Sequence, residues 1–212
     1  MSAKSAAIKA RDFVVSLPDE IEIEECVVTP QRPLSDDEFW EFCARNRELR
    51  IELTEEGQMI IMLPVGGEGS SRNFLLTTRF GAWVEADGTG IGFDSSGGFK
   101  LPNKAKRSPD ASWMRRERWE ALTDKERKRF VPLCPEFVVE LRSHSDRLKK
   151  LQQKMEEYIE NGAQLGWLID PIEKKVHIYR PGAPVEILNQ PKEISGELWL
   201  KGFTLKLQGI ID

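Results

Sequence analysis

Glu140 stands in the middle of the apolar run Phe137-Val138-Val139-Glu140-Leu141, and Asp110 follows Pro109 at the head of a shorter extended stretch, Ala111-Ser112-Trp113. A carboxylate inside a buried strand is costly unless it is protonated, paired or bound to a metal, so Glu140 calls for compensation. Side chains alternate along a strand, so Glu140 and Arg142 point together, away from Phe137, Val139 and Leu141. Downstream, Leu148, Leu151, Met155 and Tyr158 form an apolar stripe at helical spacing; Lys154 borders that stripe and can lean over the sheet. Two carboxylates and an ammonium at strand ends are the minimum for metal-assisted phosphodiester hydrolysis. The acids hold Mg²⁺, the metal activates water and polarises the phosphoryl oxygen, and the lysine offsets charge or orients the water. Each residue also has a plainer reading. Glu140 pairs with Arg142 or Lys154, Asp110 makes a turn after proline, Glu52 sits on a half-exposed hairpin strand, and Lys154 is a solvated helix lysine.

These residues need a scaffold, and the chain's pattern supplies one. Ser35-Asp36-Asp37-Glu38 is a capping box that opens a helix bearing Phe39, Trp40 and Phe42 and ending near Asn46. The runs 49–53 and 59–63 flank Thr54-Glu55-Glu56-Gly57 as a hairpin with Glu52 on its first strand. Gly66 to Ser71 reads as a flexible loop, without the pattern of a phosphate-binding loop, before a helix that Asp87-Gly88 closes. Short strands are expected at 91–93, 99–101 and 110–114, and the charged stretch 115–130 reads as a solvated helical insertion. The central unit is strand 137–143, helix 146–161 capped by Ser145 or Asp146 and ended by Gly162, then strand 165–170. That is a βαβ signature, with parallel strands and a right-handed crossover. A hairpin partner at 175–179 and closing strands at 197–200 and 203–207 complete the reading. Before position 34, the acidic stretch 19–25 alternates like an extended lead-in.

In this order the motifs resemble the Uma-type restriction-endonuclease family, which has the PD-(D/E)XK nuclease fold. The resemblance is carried by Asp110 after Pro109, by Pro135-Glu136-Phe137-Val138-Val139-Glu140-Leu141-Arg142-Ser143, by Lys154 four residues before Tyr158, and by Gly162 and Trp167-Leu168-Ile169-Asp170-Pro171. Ile51-Glu52-Leu53 with Gly57 and 59–64 is similar to that family's opening hairpin, and Gly202-Phe203-Thr204-Leu205 to its closing strand. The likeness covers about residues 35 to 207. It implies an α/β fold with a restriction-endonuclease-like mixed central sheet flanked by helices. It also implies Asp110 and Glu140 as metal ligands, Lys154 as the catalytic lysine and Glu52 as an accessory acid. The standard motif has lysine two residues after the glutamate. Here that position is Arg142, which is always charged and cannot act as a base, so the resemblance moves the lysine's role to Lys154. The expected activity is Mg²⁺- or Mn²⁺-dependent endonuclease cleavage of double-stranded DNA, by a homodimer whose two-fold symmetry suits a duplex. The alternative is a catalytically silent binding or regulatory module that keeps the fold.

Composition sets the outer bounds. With 212 residues, 40% of them hydrophobic, the chain can bury a full core, read as an extension over 1–34 and one domain over 35–212. A net charge of −4 argues against a general polyanion binder, so any DNA contact must use a local basic surface. Cys26, Cys43 and Cys134 are scattered and suggest neither a disulfide framework nor a zinc site. His144 and His177 lack metal-ligand spacing, with His177 read as facing outward. Trp83, Trp113, Trp119 and Trp167 read as core or subunit-contact residues rather than base-stacking platforms. No apolar stretch is long enough to span a bilayer and the start lacks a secretion signal, so the expected compartment is the cytoplasm.

Overall fold

A computed structural model describes residues 25–62 and 66–212; the acidic lead-in before Glu25 lies outside them. Strand β1 (Glu25–Val28) precedes helix α1 (Asp36–Arg45). The capping box at its start is formed: Glu38 N–H donates to Ser35 Oγ, and Ser35 N–H to the Glu38 carboxylate. Strands β2 (Arg50–Leu53) and β3 (Met59–Met62) make the expected hairpin, whose turn requires Gly57 at φ 82°. β1 adds to the outside of β3, and Phe39 of α1 packs with Ile51, Leu53, Met59 and Ile61.

Helix α2 (Gly67–Asp87) starts earlier than expected, taking Gly67 to Ser71 into its first turns with Gly66 as N-cap. Glycines are tolerated there because the first N–H groups of a helix lack intrahelical partners in any case, while Leu76 and Phe80 anchor the helix to the core. Strands β4 (Gly90–Asp94), β5 (Phe99–Lys100), β6 (Lys106–Arg107) and β7 (Ala111–Arg115) follow. The charged stretch holds two short helices, α3 (Arg116–Glu120) and α4 (Asp124–Arg127). It is less solvated than its composition implies, since Trp119 and Leu122 pack against the core.

Strand β8 (Phe137–Leu141), helix α5 (Leu148–Glu160) and strand β9 (Leu165–Asp170) form the βαβ unit, with β8 and β9 parallel. α5 starts two residues later than the pattern suggested. Asp146 does not cap it, because its carboxylate accepts from the backbone N–H and hydroxyl of Ser143; Arg147 is the N-cap. Strands β10 (Lys175–Tyr179), β11 (Glu186–Asn189), β12 (Glu193–Ser195) and β13 (Thr204–Lys206) complete the chain. The expected strand over 197–200 is instead a turn: Trp199 and Leu200 both donate to Gly196 O, and Leu198 has φ 82°. The true partner of β13 is β12, which puts Ile194 opposite Leu205 in the core.

A six-stranded sheet in the order β11-β10-β9-β8-β7-β4 is the spine, antiparallel except for β8–β9. As the alternation predicted, Phe137, Val139 and Leu141 face one side, with α2, β12 and β13, while Val138 faces the other, with Met155 and Tyr158 of α5. The smaller sheet, β1-β3-β2-β6-β5, meets this second face through Phe99 of β5. Among the described residues, no helix is long and apolar enough to cross a membrane.

β4 buttresses β7 through a close approach at Gly90. A Cβ there would meet Trp113 Cε2 at 2.2 Å and the Met114 carbonyl oxygen at 2.4 Å. Gly90→Ala is therefore expected to destabilise the fold by about 1–3 kcal/mol, read from the urea midpoint at unchanged slope. An unchanged midpoint would contradict this packing.

Candidate active site

Asp110, Glu140, Lys154 and Glu52 come from four elements and meet in one cleft of about 1250 Å³. Glu140 is carried by β8, and Asp110 sits just ahead of β7, its N–H bonded to Val139 O. The Asp110 carboxylate accepts the Leu141 N–H at 2.9 Å on Oδ2, which ties it to the strand that carries Glu140. Glu52 enters from β2, and Lys154 from the flank of α5.

Lys154 joins the halves of the site. Its Nζ lies 2.8 Å from Glu52 Oε1 and 2.9 Å from Glu140 Oε1. Its side chain is mostly covered rather than solvated, keeping 12% exposure, and Glu52, expected to be half-exposed, is 2% exposed because β6 and α5 close over β2 on that side. Burial works against the ammonium, yet Glu140 and Glu52 outweigh it and raise Lys154 above its ordinary value, so the group is a fixed cation. Burial likewise opposes ionisation of Glu52, but Lys154, Arg107 and Arg50 hold it well below the usual carboxylate range. Glu140 goes the other way. Burial raises it, Lys154 offsets this in part, and Asp110 and Glu52 add to the rise, which brings it to about 7.

Around this centre the structure places residues that the sequence reading left out. Arg107 bridges Glu52 at 3.2 Å and Glu157 at 2.6 Å, and Ser108 N–H donates to Glu52 Oε1. Arg50 donates through Nη1 to Asp110 Oδ1 at 3.0 Å and through Nη2 to Ser108 O. The Tyr158 hydroxyl, wholly buried, donates to Glu140 Oε1 at 3.0 Å, the same oxygen that Lys154 takes. Sequence signals existed for two of them: Arg50 shares a strand face with Glu52, and Tyr158 lies one helical turn beyond Lys154. In this network Glu52, Asp110, Glu140 and Glu157 face the fixed cations Arg50, Arg107 and Lys154, so ionisation of Glu140 leaves one negative charge in excess.

Arg142 does not join Glu140. Beyond the end of β8 it turns to Asp170 at 2.8 Å and to the Asp146 carbonyl. Asp170 uses its other oxygen to accept from the N–H groups of Ile172 and Glu173 and so anchors the turn after β9. His144 is exposed at the cleft rim, 3.5 Å from Glu68. His177, expected to face outward, is instead buried at 4% exposure; its ring nitrogens have no hydrogen-bond partner among the described residues. Trp113 and Trp167 are core residues, as expected.

No group of three or more His, Cys, Asp or Glu side chains among the described residues could by itself hold a metal ion. Hard oxygens from one or two carboxylates are nonetheless what Mg²⁺ takes, since it keeps waters and substrate phosphate oxygens for the remaining positions. Asp110 and Glu140, in a cleft with excess negative charge, fit such an ion.

The family model Uma2, described as "Putative restriction endonuclease", matches residues 36–208. Among solved structures, a crystal structure described as a putative nuclease belonging to DUF820 from Anabaena variabilis matches with a TM-score of 0.66 and 20% sequence identity, over 84% of this chain and 98% of that one. The two share the restriction-endonuclease-like fold. No curated protein matches the chain.

The raised Glu140 carboxyl makes a stability prediction. The folded group holds its proton more tightly than the unfolded one, so the metal-free protein loses stability as pH rises from about 4.5 through about 7. Glu140→Gln keeps an acceptor for Lys154 and Tyr158 while removing the charge. It should stabilise the metal-free protein at pH 8 by about 1–3 kcal/mol and flatten that stretch of the stability–pH curve in urea unfolding. A less stable variant at pH 8 would make Glu140 half of a structural ion pair.

Proposed function

The chain belongs to the Uma2 family, and from that premise we propose that it is a divalent-metal-dependent endonuclease that hydrolyses phosphodiester bonds of double-stranded DNA as a cytoplasmic homodimer. The observation that carries this reading is the meeting of Asp110, Glu140 and Lys154 in one cleft whose lining holds more carboxyl groups than lysines and arginines. The cleft is larger than the ~300–1,000 Å³ typical of small-molecule sites, which suits a length of polymer. Carboxylates outnumber lysines and arginines along its described lining, so a phosphate backbone entering it needs added positive charge.

Asp110 and Glu140 would hold Mg²⁺ or Mn²⁺. When bound, such an ion lowers the pKa of a coordinated water and neutralises charge on the phosphoryl oxygens. The chain's own residues do the rest. Tyr158 and Lys154 both grip Glu140 Oε1, which holds the carboxylate's rotation and would leave its other oxygen for a cation. Leu141 N–H does the same for Asp110. Lys154, always charged, offsets the negative charge that builds on the phosphoryl group and is a charge stabiliser rather than a base. Glu52 keeps Lys154 in place, which is its accessory role. Residues 35–212 would form the nuclease domain, with 1–34 as an extension to it.

One observation favours a silent module instead: Asp110 and Glu140 already have internal cationic partners, Arg50 and Lys154. Calorimetric titration with Mn²⁺ and cleavage of duplex DNA separate the two. The nuclease reading expects millimolar or tighter metal binding that Asp110→Ala abolishes. It also expects metal-dependent cleavage that falls about 100-fold or more in Asp110→Ala and Lys154→Met. A wild-type protein that binds no divalent ion at millimolar concentration contradicts it.

A further inference from the structure

Asp110 is held from two directions with different consequences. The Leu141 N–H on Oδ2, at 2.9 Å, belongs to the sheet that positions the carboxylate and stays whatever the cleft contains. The Arg50 guanidinium on Oδ1, at 3.0 Å, comes from the separate hairpin sheet across the cleft, with the Asn73 amide a longer contact at 3.4 Å on the same oxygen. Placement of Asp110 therefore does not depend on Arg50. What Arg50 supplies is charge: it lies among Asp110, Glu140 and Glu52, whose fields act on it together.

Arg50 is only partly committed. Nη1 and Nη2 are used, Nε has no hydrogen-bond partner among the described residues, and the side chain keeps 31% of its exposure where it lines the cleft. Two cations of one site compete for the same carboxylate, and a planar guanidinium that loses a carboxylate finds an equivalent partner in a phosphate.

On the strength of the nuclease reading, we propose that Arg50 is an exchangeable counter-ion. It neutralises Asp110 in the metal-free protein, releases Oδ1 when the carboxylate is shared with a divalent cation, and then binds a non-bridging oxygen of the scissile phosphate. It is distinct from Lys154, which is boxed in by two carboxylates and has no comparable freedom. The internal pairing that favours a silent module becomes, on this view, the resting state of an active one.

Arg50→Met removes the charge at similar length. Calorimetry with Mn²⁺ alone should show affinity rising on the order of tenfold, because a competing cation is gone. Binding of a short DNA duplex with Ca²⁺ in place of Mg²⁺ should weaken by about tenfold, with Arg50→Lys in between. Mn²⁺ affinity that stays level or falls, or duplex affinity that does not change, overturns the proposal. Wild type that binds no Mn²⁺ removes the nuclease reading and this proposal together, an outcome read without any variant. If Arg50→Met fails to fold, the wild-type Arg50 Nε–Hε resonance decides the matter. Its exchange with water should quicken when Mg²⁺ is added, and unchanged exchange overturns the proposal.

Discussion

One ammonium, Lys154, enclosed between Glu52 and Glu140, ties the molecule's parts into a site. The hairpin sheet contributes Glu52, the central sheet Glu140, and the helix between the parallel strands the lysine itself. Desolvating three charges is expensive, and their attraction repays the cost only while every partner is present. The arrangement thus specifies how the two sheets dock as much as it stabilises them. Arg107 repeats the device one step away, joining the hairpin side to α5 through Glu52 and Glu157.

Charge in this network is deliberately unbalanced. Glu52 is compensated by Lys154 and Arg107 together, whereas Glu140 shares one oxygen between Lys154 and Tyr158 and has Asp110 and Glu52 as like-charged neighbours. A carboxyl pushed up to about 7 in a strand interior costs stability once it is ionised. Strain of this kind concentrates where a site waits for charge from outside, and proteins tolerate it there for the sake of function.

The sequence showed the acids and the βαβ unit clearly because both depend on short-range patterns: an acid breaking an apolar strand, a stripe at helical spacing, a glycine at the helix end. Spacing alone placed Lys154 beside the stripe, able to lean over the sheet, and the resemblance gave it the catalytic role; its bond to Glu52, 102 positions away, had no local signal. Arg50 offered only its place on the strand face of Glu52, and Arg107 offered nothing, since an arginine on a short strand looks the same whether it faces water or a carboxylate from another sheet. The misplaced closing strand has a similar cause. Residues 197–200 carry strand-like Trp199 and Leu200, but the turn hydrogen bonds to Gly196 outweigh that propensity and the pairing passes to Ile194 and Leu205. β11 carried no signal because it is an edge strand with mostly exposed side chains and no alternation to read.

The claim beneath all of this is that Asp110 and Glu140 form one cation site. A crystal soaked in Mn²⁺ addresses it at the atomic level. The account predicts an anomalous peak within coordinating distance of an Asp110 oxygen and of Glu140, with Lys154 still on Glu140 Oε1. A fully soaked crystal with no peak between those carboxylates, or with manganese bound elsewhere while Arg50 stays on Asp110, would contradict it.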